Sequence, residues 1–112
     1  EFEAKFGFVA GRSSHADRLA TIKREYEQNH YLLDPHTADG VKVAREYLQE
    51  GIPMLVLETA LPAKFGETIQ EAIGQDAPVP AHLQNLNELP QRVEVMDCDV
   101  EKVRAYIMAN ID

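Results

Sequence analysis

The sequence predicts an α/β fold: a three-layer arrangement in which a partly parallel sheet is flanked by helices. Two observations point to the sheet. The run "IPMLVLET", 52–59, is apolar without alternation, as in a strand whose two faces are both covered. "EFEAKFGFVA" at the start and "RVEVM" near the end alternate apolar and polar residues, the period of a half-buried strand. A third observation supplies the helices: between these runs lie amphipathic stretches opened by capping residues and closed by glycines.

In the first expected strand Phe2, Ala4, Phe6, Phe8 and Ala10 share one face, and Gly11 breaks it. Ser13 or Ser14 then caps a helix of about 14–28, whose stripe is Ala16, Leu19, Ala20, Ile22, Lys23 and Tyr26. "YLLDPHT" ends an apolar burst with Asp34 as cap and Pro35 at the first helical position, where a missing N–H costs nothing. Thr37, Val41, Ala44 and Leu48 line the second helix, and Gly51 stands where a left-handed C-terminal residue is wanted. After the 52–59 strand, Pro62 opens a third helix with Phe65, Ile69, Ala72 and Ile73 inward, stopped by Gly74. "QDAPVPAHLQNLNELP" reads as a loop with a short helical turn, its leucines Leu83, Leu86 and Leu89 evenly spaced. Val93 and Val95 point inward from the last strand, and Asp97 or Asp99 caps a final helix lined by Val100, Val103 and Ile107.

With 112 residues, 45% of them hydrophobic and 27% charged, the chain suits one globular domain, 1–112, with a modest core. A formal charge of −8 repels phosphate backbones and anionic headgroups, so neither nucleic acid nor a membrane surface is an expected partner. One cysteine, Cys98, permits no internal disulfide and no zinc-type cysteine pair. A cytoplasmic setting is expected. The chain starts at Glu1 inside a strand-like alternation and without a methionine, which reads as a piece of something longer.

"AGRSSH" offers backbone N–H groups to a phosphate at a helix start, but it lacks the glycine spacing and lysine of a P-loop, and capping accounts for it more simply. His36 in "DPHT" is a weaker acid or base candidate, because capping by Asp34 already explains that motif. His15, His30, His36 and His82 show no metal-ligand spacing, and no metal is expected. Asp97 and Asp99 flank Cys98 and disfavour a thiolate, so Cys98 reads as a packed or idle thiol. Lys64, just past a strand end, has the position of a Schiff-base lysine but reads as a solvated first-turn residue. Thr59 is the best ligand contact. It ends the strand expected to be best buried, and in parallel α/β sheets ligands gather outside the carboxyl ends of strands; the plain alternative is a threonine that caps the next turn.

"GFVAGRSSHADRLATI", "YLLDPHTADGVKVA" and "GIPMLVLETALPAKFGETIQEA", in this order and spacing, resemble the C-terminal part of the threonine synthase family in its long bacterial and fungal form. The resemblance runs from about Gly7 to the final helix. It implies a pyridoxal-phosphate carbon–oxygen lyase of the tryptophan-synthase-β-like fold, fold type II, that converts O-phospho-L-homoserine and water to L-threonine and phosphate. It also implies that Thr59 matches the family's hydroxyl residue at the pyridine nitrogen of pyridoxal 5'-phosphate. No residue of the chain is expected to be catalytic in its own right. Many relatives carry histidine where this chain has Leu61, so no role transfers there. The Schiff-base lysine and phosphate-gripping loop belong to other parts of the family's chain, so this segment alone is expected to be inactive. The remainder of its own polypeptide is then its first partner, and bare edges or apolar faces of the excised piece would drive self-association. The rival reading is a free-standing small α/β binding or oligomerisation domain, which acidic charge, capped helices and one apolar strand suit equally well.

Overall fold

Ser14 opens the longest helix through a reciprocal capping box. Its Oγ accepts from the Asp17 N–H at 3.2 Å, while its own N–H donates to Asp17 Oδ2 at 2.9 Å. The computed structural model describes residues 2–85 and 88–111, so Glu1 of the expected first strand and Leu86 of the leucine run lie outside the described residues. The helices are α1 (Phe2–Phe6), α2 (His15–Asn29), α3 (Pro35–Ala44), α4 (Gly66–Ile73) and α5 (Val100–Ala109), with 3-10 turns at Arg45–Tyr47, Pro62–Phe65 and Ala81–Leu83. The chain forms two compact units, Glu1–Ala81 and His82–Asp112.

The predicted sheet is absent. Among the described residues no strand forms, and the sole β-type pairing is an isolated antiparallel bridge between Gln49 and Ile52. The α/β expectation is therefore corrected to an all-helical arrangement. At the N-terminus "FEAKF" is helical because Glu, Ala and Lys are good helix formers, and Phe2 and Phe6 are also four residues apart, so the alternation fits both periods. Gly7, at φ 70°, ends that helix by donating its N–H to the Glu3 carbonyl at 2.7 Å. The 52–59 run and 92–96 fail as strands for a different reason. A strand exists only through ladder hydrogen bonds to a neighbour, and among the described residues neither run forms such a ladder. Val93 and Val95, expected inward, are exposed.

The first unit is held by a core between α2, α3 and α4. Ile22, Ala38 and Ile69 have no exposed surface, with Leu33, Ala72 and Ala77 buried around them and Leu19, Leu32, Val41 and Ile73 packed alongside. Polar contacts tie the same helices. His15 Nε2 lies 3.0 Å from Glu71 Oε2, and the Tyr26 hydroxyl donates to Gln75 Oε1 at 3.2 Å, both linking α2 to α4 or the turn after it. Buried Glu25 accepts from Arg45 and, at 2.6 Å, from Asn29. Arg18 forks onto Asp39, with Nη2 at 2.6 Å from Oδ2 and Nε at 3.1 and 3.2 Å from the two oxygens, which locks α2 to α3. Partial burial pushes the Asp39 carboxyl up, but the bonds from Arg18 and Ser13 and the charges of Arg18 and His36 outweigh it and hold the group below the ordinary aspartate range.

α3 ends earlier than the stripe to Leu48 suggested. It tightens into a 3-10 turn at Arg45–Tyr47, and Leu48 is exposed. Gly51 does adopt φ 76°, but in service of the turn in which the Ile52 N–H meets the Gln49 carbonyl at 3.2 Å. The 10–12 segment lies against α3 and the 3-10 turn that follows it: the Tyr47 hydroxyl donates to the Ala10 carbonyl at 3.1 Å, and Lys42 Nζ donates to the Arg12 carbonyl at 2.8 Å. Gly11 is required there, since a Cβ on it would sit 2.6 Å from Val43 Cγ1.

In the second unit Asp99 caps α5, accepting from the Glu101 and Lys102 N–H groups at 2.9 and 3.0 Å, while Asp97 pairs with the Lys102 ammonium. The stripe of Val100, Val103 and Ile107, expected to be buried, is exposed. No helix among the described residues is long and apolar enough to cross a membrane.

Two measurements check this packing. Gly11→Ala should destabilise the chain by about 1–3 kcal/mol through overpacking against Val43, and adding Val43→Ala should recover part of the loss in chemical denaturation. The Arg18–Asp39 pair stabilises the fold above the unfolded aspartate pKa of about 3.9 and loses that contribution as pH falls through the lower folded value. Thermal melts from pH 7 down to about 2 should therefore show the advantage of the parent over Asp39→Asn shrinking below about pH 4.

Candidate functional site

The predicted ligand contact, Thr59, and the two motifs nearest it in character, "YLLDPHT" and "LETALPAKF", meet in the first unit. The meeting begins with a cap. Asp34 has no exposed surface, so its carboxylate must find donors within the protein. Oδ1 accepts from the His36 and Thr37 N–H groups at 2.9 and 3.3 Å, the first turn of α3, and Oδ2 accepts from the Thr37 hydroxyl. The positive end of the helix dipole adds to that support.

Thr37 Oγ1 in turn accepts the backbone N–H of Thr59 at 3.2 Å, across 22 residues of chain. One residue earlier, Glu58 Oε2 accepts from the Tyr31 hydroxyl at 2.9 Å. That bond and the Glu58 charge push the Tyr31 phenol above its ordinary value, with small additions from burial and Asp34. Further along, the Phe65 ring meets the His36 ring with centroids 5.0 Å apart and planes at 58°. Three contacts thus fasten 58–65 to the residues around the α3 N-terminus.

Thr59 is exposed, and its side-chain hydroxyl takes no protein partner among the described residues. It opens on a groove of about 410 Å³ whose lining includes His36, Gly40, Val43, Tyr47 and Val56. Gly40 keeps α3 close to this wall, since a Cβ there would lie 3.2 Å from Val56 Cγ1. No lysine lines the groove. A neutral hydroxyl beside apolar walls suits the edge of a flat heteroaromatic ring better than an ion.

His36 lies in the same groove, its Nδ1 3.5 Å from Asp34 Oδ1, so the "DPHT" motif is both cap and groove wall. Lys64 is exposed in the 3-10 turn, its N–H bonded to the Leu61 carbonyl at 3.1 Å, away from the groove lining. Cys98 is exposed in the second unit. Of Ser13 and Ser14, Ser14 is the cap. No group of His, Cys, Asp and Glu among the described residues has the geometry to hold a metal ion. Sequence reasoning missed Thr37 and Tyr31 as partners of residues 58 and 59. "DPHT" signalled only a local cap, and nothing in its spacing encodes a bond to a residue 22 positions away.

A family model described as "Threonine synthase, C-terminal" matches residues 37–107. The chain is 50% identical over 108 residues to a threonine synthase of Methylobacillus glycogenes, covering 96% of this chain and 23% of that protein. It is 46% identical over 106 residues to a threonine synthase of Corynebacterium glutamicum, covering 94% of this chain and 22% of that protein. Among solved structures it is similar to PLP-bound threonine synthase from Brucella melitensis, with a TM-score of 0.75 and 40% identity over 91% of this chain and 22% of that one. The chain therefore spans under a quarter of the length of these relatives.

The Tyr31–Glu58 bond can be read directly by spectrophotometric titration of the four tyrosines. Replacing Glu58 by Gln should move one phenol transition to lower pH, toward the ordinary value, and leave the others in place.

Proposed function

Since this chain belongs to the threonine synthase family, we propose that it is the C-terminal segment of a pyridoxal-phosphate lyase that converts O-phospho-L-homoserine and water to L-threonine and phosphate. The single observation that carries the reading is Thr59: a side-chain hydroxyl free of protein partners, at the mouth of a largely apolar groove, on a turn fixed by its own backbone N–H.

The residues fit one edge of pyridoxal 5'-phosphate, the ring nitrogen. When bound, that group draws electrons from the substrate's carbon chain while phosphate leaves and water adds. The Thr59 hydroxyl would donate to the ring nitrogen without requiring a buried charge, whereas an aspartate there would hold the nitrogen protonated. Val43, Val56 and their neighbours would line that side of the ring with apolar surface. The groove lining is His36, Thr59, Tyr47 and apolar residues, and the amine and the phosphate cradle are proposed to come from the rest of the enzyme.

Leu55 and Leu57 are 86% and 81% exposed, with Ile52 and Met54 also uncovered beside them. A contiguous apolar surface of this kind seeks cover. The remainder of the longer polypeptide is the proposed cover, and the isolated piece would self-associate through the same residues. The proposed setting of the whole enzyme is the cytoplasm.

Thr59→Val keeps the shape and deletes one donor. In the full-length enzyme it should lower turnover about tenfold, the equivalent of one hydrogen bond of about 1–1.5 kcal/mol, and alter the cofactor absorbance. The thermal midpoint of the cofactor-free protein should stay unchanged. Unaltered kinetics and spectrum would remove Thr59 from the site.

A further inference from the structure

We infer that Thr37 is a positioning residue for Thr59, held in that role by the buried carboxylate of Asp34; the inference rests on the reading of Thr59 as the ring-nitrogen contact. The polarity of the relay follows from valence. An ionised carboxylate only accepts, so the single proton of the Thr37 hydroxyl points at Asp34 Oδ2. The oxygen's lone pairs are then left facing the other way, and one of them accepts the Thr59 N–H at 3.2 Å. A buried hydroxyl with one proton and one acceptor beneath it has a fixed rotor, which gives the Thr59 backbone a single place to dock.

The consequence reaches the Thr59 side chain. With the backbone N–H anchored inward, Glu58 tied by Tyr31 and Phe65 against His36, the segment 58–65 is pinned on both sides of Thr59. The side-chain hydroxyl is thereby left free at the groove mouth. Displacement of a donor by 1 Å is enough to forfeit most of a hydrogen bond made to a fixed ring, so a positioning residue one contact removed controls the bond without touching the cofactor. Asp34 alone would cap α3 without any threonine at the third helical position. A hydroxyl at that position, aimed at the following segment, is what capping does not need.

The test uses the full-length enzyme stripped of cofactor and titrated with pyridoxal 5'-phosphate, reading the dissociation constant and the absorbance maximum of the bound cofactor. Thr37→Val should weaken binding about tenfold, the loss of one hydrogen bond's geometry, and move the absorbance in the direction that Thr59→Val moves it. Thr37→Ser, which keeps the hydroxyl, should stay within about twofold of the parent. The double variant should be no worse than Thr59→Val alone, because the second change acts only through the first. Asp34→Asn still caps the helix but turns Oδ2 into a donor and strands the Thr37 proton, so it should shift the spectrum the same way.

Additive effects of Thr37→Val and Thr59→Val, or an unchanged spectrum in folded Thr37→Val, overturn the inference while the reading of Thr59 stands. A silent Thr59→Val overturns both. If Thr37→Val fails to fold, amide exchange of the unmutated protein decides: a protected Thr59 N–H supports the relay, and exchange at the free-peptide rate refutes it.

Discussion

A carboxylate with no exposed surface is the constraint on which the organised part of this molecule depends. Asp34 is buried at the start of α3 and accepts from two backbone N–H groups and one hydroxyl, each of them within the next three residues. Losing any of those donors would leave a charge in the interior with too few partners, a penalty of several kcal/mol. The cap therefore fixes more than a helix terminus. It orients the Thr37 hydroxyl, and that hydroxyl gives the far segment around Thr59 its attachment point.

Around this anchor the first unit divides into a packed side and a bare side. α2, α3 and α4 enclose Ile22, Ala38 and Ile69 and are cross-linked by the Arg18–Asp39 fork and the contacts of His15 and Tyr26. The bare side is the apolar 52–57 run, which shares a groove with α3 and whose Val56 comes close to Gly40. Large hydrophobic residues left open to water seek cover, and Leu55 and Leu57 here adjoin the proposed cofactor contact. The same groove wall that would shield a ring from water thus borders the surface that the longer enzyme is proposed to cover.

Local chemistry was readable in advance because it is local. Ser14, Asp34 and Asp99 cap α2, α3 and α5, Pro35 opens α3, Pro62 opens only the 3-10 turn that precedes α4, and Gly74 ends α4 at φ 69°, all decided by interactions within a few residues. The strands were misread for the opposite reason. Hydrophobic period reports which face wants burial, while a strand also needs a neighbour to share its hydrogen bonds, and among the described residues neither 52–59 nor 92–96 forms a ladder with one. "FEAKF" was ambiguous from the outset, since five residues satisfy both a period of two and a spacing of four.

By itself the sequence determined the caps that open α2, α3 and α5, the glycine that ends α4, the acidic charge and the resemblance to a family, because caps, composition and motif order are properties of neighbouring residues. Only the tertiary structure decided that Thr59 docks on Thr37, that Tyr31 holds Glu58, that His36 walls the same groove, and that the most apolar run of the chain lies uncovered. Those facts depend on contacts between residues as much as 22 and 27 positions apart. Distance through space, unlike spacing along the chain, is set by how α2, α3 and α4 pack.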